Sequence, residues 1–384
     1  MTRCSTASLR LAVLGLVLSS MTGCGEGGLG SGAGDEGGQG NEGGNSGQGA
    51  NGQGGLPGQG AGPGQGAGPG QGGGPAEGGG PSAPEGAYFP GGWMYEDISS
   101  APVAGDSATV TQWLEDNGSW GTGELRIDFS MEVLLADADT PFLSFEPTDD
   151  FYDPDCDHVP VPVPVGGALE GEAGYECESD GDCHLIVRSD SDMRLYEMWR
   201  ANMDGGGFYG GCLAAWDMTR TYGPEGRGEQ CTSADAAGFP IAPLLFTAEE
   251  VASGEINHAI RFILPNSRMR DNAYVRPGTH AGAPSGPEEA PVYGSRWRLR
   301  ADFDLEVLPN EGARVVARAM QRYGMALADG GNIALTAQSD RFTETKWEGL
   351  LGSSDLAAIE PTDFEVIDTG PVIDVTFDCA RERF

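Results

Sequence analysis

Four residues of this 384-residue chain have the types and surroundings to move protons: His258, His280, Asp235 and Asp329. They lie in the stretches Cys231-Thr-Ser-Ala-Asp-Ala-Ala-Gly-Phe-Pro240, Gly254-Glu-Ile-Asn-His-Ala-Ile-Arg-Phe262 and Tyr274-Val-Arg-Pro-Gly-Thr-His280, and after Gln321-Arg-Tyr-Gly324. An imidazole oriented by a carboxylate serves as a general base. His258 falls between Ile256 and Ile260 on the apolar side of a strand-like run, with Glu255 and Arg261 on the other side. Burying it there demands a partner for each ring nitrogen. Asp235 and Asp329 sit in Gly-flanked loops, where functional carboxylates often project. The functional expectation is that all four converge in one cleft as the catalytic set. The competing reading is a satisfied core histidine with structural turn carboxylates.

Other residue groups suit binding. Glu197 and Asp217 lie on adjacent expected strands and offer paired carboxylates for glycoside cleavage. Trp199, Trp216, Phe208, Tyr209 and Trp297 offer a platform on which sugar rings stack, against the alternative of plain core. Trp199, Trp216, Glu197 and Arg261 are the expected substrate contacts. Asp153, Asp155 and Asp157 have D-x-D-x-D spacing for Ca²⁺, but His158 and Pro164 replace the Gly and Glu of an EF-hand, so an acidic solvated loop competes. Glu178-Ser-Asp-Gly-Asp182 has the same ambiguity. Beyond possible Ca²⁺ no cofactor is expected. The folded part has no G-x-S-x-G elbow, H-E-x-x-H or P-loop, which removes the common serine-hydrolase, zincin and nucleotide-binding readings.

Taken together, the stretches from Cys231 to Asp329 resemble a family of exported bacterial proteins with a "SADAAG…GEI-HA-RF…P-TH…YG…D" pattern. The resemblance covers about residues 180–370. It implies a shared β-rich fold and export, and it transfers no mechanism.

Strand signals dominate the elements that must position these residues. Glu124 to Val133 alternates strictly, with Leu125, Ile127, Phe129, Met131 and Val133 on one face. Cys183–Arg188 and Arg194–Trp199 flank a polar turn and predict a hairpin, with Gly211–Trp216 next to it. Glu255–Leu264 reads as another strand. Met325–Ala328 and Ile333–Ala337 predict a second hairpin, and Phe364–Ile367 and Val372–Phe377 close the chain. Helices are few. Thr247-Ala-Glu-Glu250 has capping-box spacing with Gly254 as a stop, Asn310–Tyr323 is the strongest helix, and Ser107–Glu115 is a third. The expected fold is mainly β, an antiparallel two-sheet sandwich or jelly-roll-like domain with a few short helices.

Location is encoded at the start. Arg3 and Arg10 precede an apolar run, Leu11–Leu18, too short to span a bilayer. Met21-Thr-Gly-Cys24 follows and resembles a bacterial lipobox, in which the Cys is lipidated and becomes the new N-terminus. Residues 1–23 are then a lipoprotein signal peptide, and Cys24 anchors the protein to a membrane of the bacterial envelope, at the outer membrane or cell surface. Residues 24–87 form a Gly-rich tether with a hexapeptide repeat at 58–63 and 64–69. Such a stretch buries too little to offset its ordering entropy, and about 60 residues of it span about 40–47 Å. Residues 88–384 form a single folded domain. Cys156, Cys177, Cys183, Cys212, Cys231 and Cys379 remain there, predicting three disulfides with the pairing open. Zinc is disfavoured because no C-x₂-C pair exists. The formal charge is −36, which repels nucleic acid and anionic lipid.

The sequence therefore predicts a lipid-anchored envelope protein that binds or processes extracellular or envelope polymer, with polysaccharide the leading class. A non-catalytic surface protein for adhesion or envelope assembly is the alternative.

Overall fold

The alternating run that begins at Leu125 forms two strands where one was expected. β1 (Ile127–Met131) and β2 (Val133–Ala136) are separated by Glu132 alone, yet they belong to different sheets. Leu125, Ile127, Met131 and Val133 all stay buried, so the period-2 pattern survives the crossing.

The computed structural model describes residues 83–84, 86–179 and 181–382, within a unit that begins at residue 73. The expected signal peptide, the lipobox-like segment with Cys24 and nearly all of the expected tether lie outside the described residues.

The fold is mainly β. The other main strands are β3 (Leu185–Ser189), β4 (Arg194–Met198), β5 (Leu213–Asp217), β6 (Ile260–Leu264), β7 (Arg296–Leu299), β8 (Met325–Gly330), β9 (Leu335–Gln338) and β10 (Phe364–Val366). One sheet has the order β1-β9-β6-β8-β7-β10 and the other β5-β4-β3-β2. Three pairings, β1/β9, β6/β8 and β2/β3, are parallel and the rest antiparallel, so both sheets are mixed. The predicted hairpin Ser189–Arg194 is present. The second predicted hairpin is not: β6 lies between β8 and β9, pairing parallel with one and antiparallel with the other.

The smaller sheet is covered on both faces. Ile186, Leu195, Ala214 and Trp216 pack into the main core, while Leu185, Val187, Tyr196, Met198, Leu213 and Ala215 pack into a second cluster with Phe145, Val161 and Leu169. This explains the continuous apolar run after Cys183.

Three α-helices occur among the described residues: α1 (Ser107–Asp116), α2 (Ala248–Ser253) and α3 (Glu311–Arg322). Thr247 and Glu250 form the predicted capping box, and Gly254 closes α2 in the left-handed conformation at φ 91°. Asn310 caps α3, which buries Val315, Val316, Ala319 and Met320.

The six cysteines form three disulfides: Cys156–Cys212, Cys177–Cys183 and Cys231–Cys379. The last one ties the C-terminal segment to the loop that carries Asp235.

Candidate functional site

Arg261 on β6 organises the site. Its Nε and Nη2 donate to the two carboxylate oxygens of Asp235 at 3.1 and 3.0 Å, a bidentate pair. Nη2 also reaches Asp329 at 3.4 Å, and Nη1 donates to Thr336 Oγ1 on β9 at 3.1 Å. Asp235 is fully buried. Asp329, near the end of β8, keeps 22 % of its side chain exposed. The ladder between β6 and β8 shifts register between Phe262 and Ile263, so that Asp329 rather than Ala328 stands opposite Ile263. Such an irregularity re-aims a side chain at a strand end.

Two carboxylates therefore share one guanidinium. Burial and the neighbouring Asp235 carboxylate raise Asp329 well above the usual carboxylate range, against the pull of Arg261. Asp329 therefore binds a proton more tightly than a free carboxylate does.

The loop 231–238 is fixed from every side. His184 donates to Ala234 O at 3.1 Å and Ala236 N donates to Asp329 at 3.3 Å. Ala237 N donates to Ala328 O, and Thr279 N and Oγ1 donate to Ala237 O and Cys231 O. Gly238 has φ 79°, and a Cβ there would collide with Thr279 Oγ1 and approach Cys231 O to 2.7 Å. Only glycine fits that turn.

His280 stands over this loop. Its Nδ1 lies 3.1 Å from Ala236 O, a group that only accepts, so Nδ1 carries the hydrogen and Nε2 keeps its lone pair. Burial lowers the affinity of His280 for a second proton below that of a free imidazole. Phe377 packs edge-on against it at 5.3 Å.

His280 and Asp329 open into one cavity of about 690 Å³. Asp155, Asp182, Trp199, Asn266 and Tyr293 also line it. Trp199 Nε1 donates to Asp182 at 3.0 Å.

The four expected catalytic residues do not all meet. Asp235 sits beneath the cavity and Asp329 and His280 line it, but His258 does not. His258 precedes β6 and donates from Nε2 to Glu250 Oε1 at 3.1 Å and from Nδ1 to Ala259 O at 2.8 Å. Glu250 is the capping residue of α2, so His258 is the satisfied structural histidine of the competing reading. Burial lowers it, but Glu250 overrides this and raises it.

The expected substrate contacts are also redistributed. Of the aromatic platform only Trp199 reaches the cavity; Trp216, Phe208 and Trp297 are buried in the two cores. Glu197 is wholly buried and accepts from Ile241 N, Ala242 N and Trp216 Nε1 at 2.7–2.9 Å. Burial raises it to about 7. It stands opposite Ala214 in the ladder, whereas Asp217 stands opposite Arg194, so the two carboxylates are not a pair. Arg261 positions Asp235 and Asp329 from below and does not line the cavity.

The D-x-D-x-D run also serves the fold. Asp157 accepts from Arg227, Arg381 and Ala215 N, and Asp155 Oδ1 accepts from Thr232 N at 2.8 Å. Among the described residues this run does not bring three ligand atoms together; the two groups that do each contain a disulfide.

His184 and Glu170 were missed by sequence reasoning. Glu170 accepts from His184 Nδ1 at 2.7 Å, and both ring nitrogens of His184 are engaged. Burial pulls His184 down, but Glu170 overrides it and raises the imidazole to about 9. Its place beside Cys183 in a strand gave no signal of this role. No family model, curated protein or solved structure matches the chain. No helix among the described residues is long and apolar enough to cross a membrane.

Proposed function

We propose that this is a lipid-anchored protein of the bacterial envelope whose folded domain binds and cleaves a polysaccharide. One juxtaposition carries the reading: Asp329, whose proton affinity is raised, His280, whose proton affinity is lowered, and the Trp199 indole share one open cavity. Trp199 supplies a stacking surface for a sugar ring. Asp329 gives its proton to the departing glycosidic oxygen as the C–O bond breaks. His280 Nε2 takes a proton from the attacking water, whose oxygen bonds to the anomeric carbon. Solvent then returns both residues to their starting states. Asp235 and Arg261 act as positioning residues: the Asp235 carboxylate raises the proton affinity of Asp329, and Arg261 holds the two carboxylates in place. The lipobox at Cys24, the long tether and the exported-family pattern supply the location. The formal charge of −36 argues against nucleic acid as a partner.

The test is release of reducing ends from a polysaccharide panel by the purified protein, beside gel retardation on the same polymers. Expected are retardation and cleavage, with cleavage lost in Asp329→Ala and His280→Ala while retardation persists. Retardation without cleavage in the parent protein would leave a binding protein and remove the catalytic step. Neither effect on any polymer would overturn the reading. For the anchor, labelled fatty acid should enter the native protein and not Cys24→Ala; an unlabelled native protein would refute lipidation.

A further inference from the structure

Several polar groups on the cavity wall already have partners within the fold. Ser233 Oγ donates to Phe239 O at 2.6 Å and Thr232 Oγ1 donates to Ala236 O at 3.3 Å. Trp199 Nε1 is held by Asp182. Tyr293 is different. The residue is only 1 % exposed, yet among the described residues its hydroxyl makes no hydrogen bond. Tyr95 also has an unpartnered hydroxyl, but that one is sealed from solvent. The Tyr293 hydroxyl is reached from the cavity, whose wall Tyr293 forms with Ala236 and Gly282.

The fold holds this hydroxyl in place. Tyr293 O accepts from Val275 N and Gly294 N donates to Leu327 O, both at 2.8 Å, and the side chain belongs to the main core. At the tip of the ring, a Cβ on residue 282 would come within 3.2 Å of the hydroxyl oxygen and 3.1 Å of Ala236 Cβ, so glycine leaves that space open. Ala236 is also the residue whose N–H donates to Asp329 and whose carbonyl accepts from His280. Hydroxyl, acid and base thus gather around one residue. Burial and the carboxylates of Asp329 and Asp235 raise the hydroxyl well above its usual value near 10, so it keeps its hydrogen and acts as a donor. A buried donor is costly to leave without an acceptor. A ligand that displaces solvent from this wall must therefore bring one.

We infer that Tyr293 is the specificity-determining residue of this site: its hydroxyl donates to a hydroxyl oxygen of the sugar held beside Asp329, so that rings offering an oxygen there are accepted and rings lacking it are refused. This rests on the polysaccharide reading and deepens it. Tyr293 contributes to binding and selection, while proton transfer stays with Asp329 and His280.

The experiment is calorimetric binding of four β-1,4-linked hexamers, of glucose, mannose, xylose and N-acetylglucosamine, to the parent protein and to Tyr293→Phe, with melting of both proteins. The hexamer that the parent binds most tightly should bind the Phe variant about three- to tenfold less tightly. The spread of affinities across the four should narrow, because the discriminating donor is gone. Tm of the unliganded variant should not fall, because the hydroxyl has no partner within the fold to lose. Unchanged affinities would overturn the inference and leave the polysaccharide reading standing. An equal loss for all four hexamers would make Tyr293 a general contact and overturn its role in selection. Weaker binding together with a lower Tm would mean that the hydroxyl supports the fold, and would overturn it too. Binding of no hexamer to the parent protein would count against both.

Discussion

Replacing Asp329 with Asn tests the shared guanidinium directly. Asn has the shape of a protonated carboxyl and cannot ionise. In the folded protein burial and Asp235 raise Asp329, while in the unfolded chain it titrates normally near 4. Between those two values the folded state holds a proton that the unfolded state has released. Stability from this group is therefore full below pH 4 and falls as pH rises through the folded value. Each unit of displacement costs about 1.4 kcal/mol on the alkaline side. The side chain retains 22 % exposure and one Arg261 contact, so only part of the full displacement counts toward stability. The Asn variant escapes this penalty. At pH 8 it should exceed the parent protein by about 1–2 kcal/mol, and at pH 4 the two should match. For a domain of this size that difference moves Tm by about 2–4 °C. The assay is calorimetric melting of both proteins across pH 4–8, reading the difference so that other carboxylates cancel. A difference that stays flat with pH, or an Asn variant that loses ground as pH rises, refutes the argument. Catalysis of polymer cleavage should disappear in the same variant.

Three further outcomes follow from the geometry. Glu170→Gln removes the partner that raises His184, whose contribution is complete below pH 6.5 and lost as pH climbs through about 9; urea unfolding should show a loss at pH 6.5 that vanishes by pH 10, and a loss independent of pH would contradict an ion pair. Gly238→Ala, at φ 79° against Thr279 and Cys231, should cost about 1–3 kcal/mol or more and abolish glycan binding; an unchanged Tm would show that the turn relaxes freely. Replacing Cys231 and Cys379 together with Ser opens a connection of 148 residues, worth up to about 5 kcal/mol in the chain-entropy picture. That variant should also lose its C-terminal residues to carboxypeptidase, and resistance to the protease would mean that Arg381 and its partners suffice to hold the segment.

Short-range signals were legible and the site was not, for one physical reason. Thr247, Glu250 and Gly254 announce α2 because a capping box and a left-handed stop are decided within eight residues. The turn after Ser189 and the Asn310 cap are equally local. Six cysteines predicted three disulfides, but the partner of Cys231 lies 148 residues away, and spacing cannot choose it. The same holds for Arg261. The sequence placed it on a strand opposite His258, but its link to Asp235 and Asp329 spans 26 and 68 residues.

Tertiary pairing also separated what the pattern had grouped. Seating β6 between β8 and β9 brought Arg261 to Asp329, while His258, only three residues earlier, was left to the cap of α2. Alternation indicates that a residue faces inward; it does not indicate which sheet receives it, as Glu132 shows by dividing one apolar run between two sheets. The amino-acid order by itself determined a β-rich, disulfide-bonded domain with its helix ends. Which carboxylate has its proton affinity raised, which histidine lines the cavity and which tryptophan reaches it were decided by packing, because those properties belong to neighbours far apart in the chain.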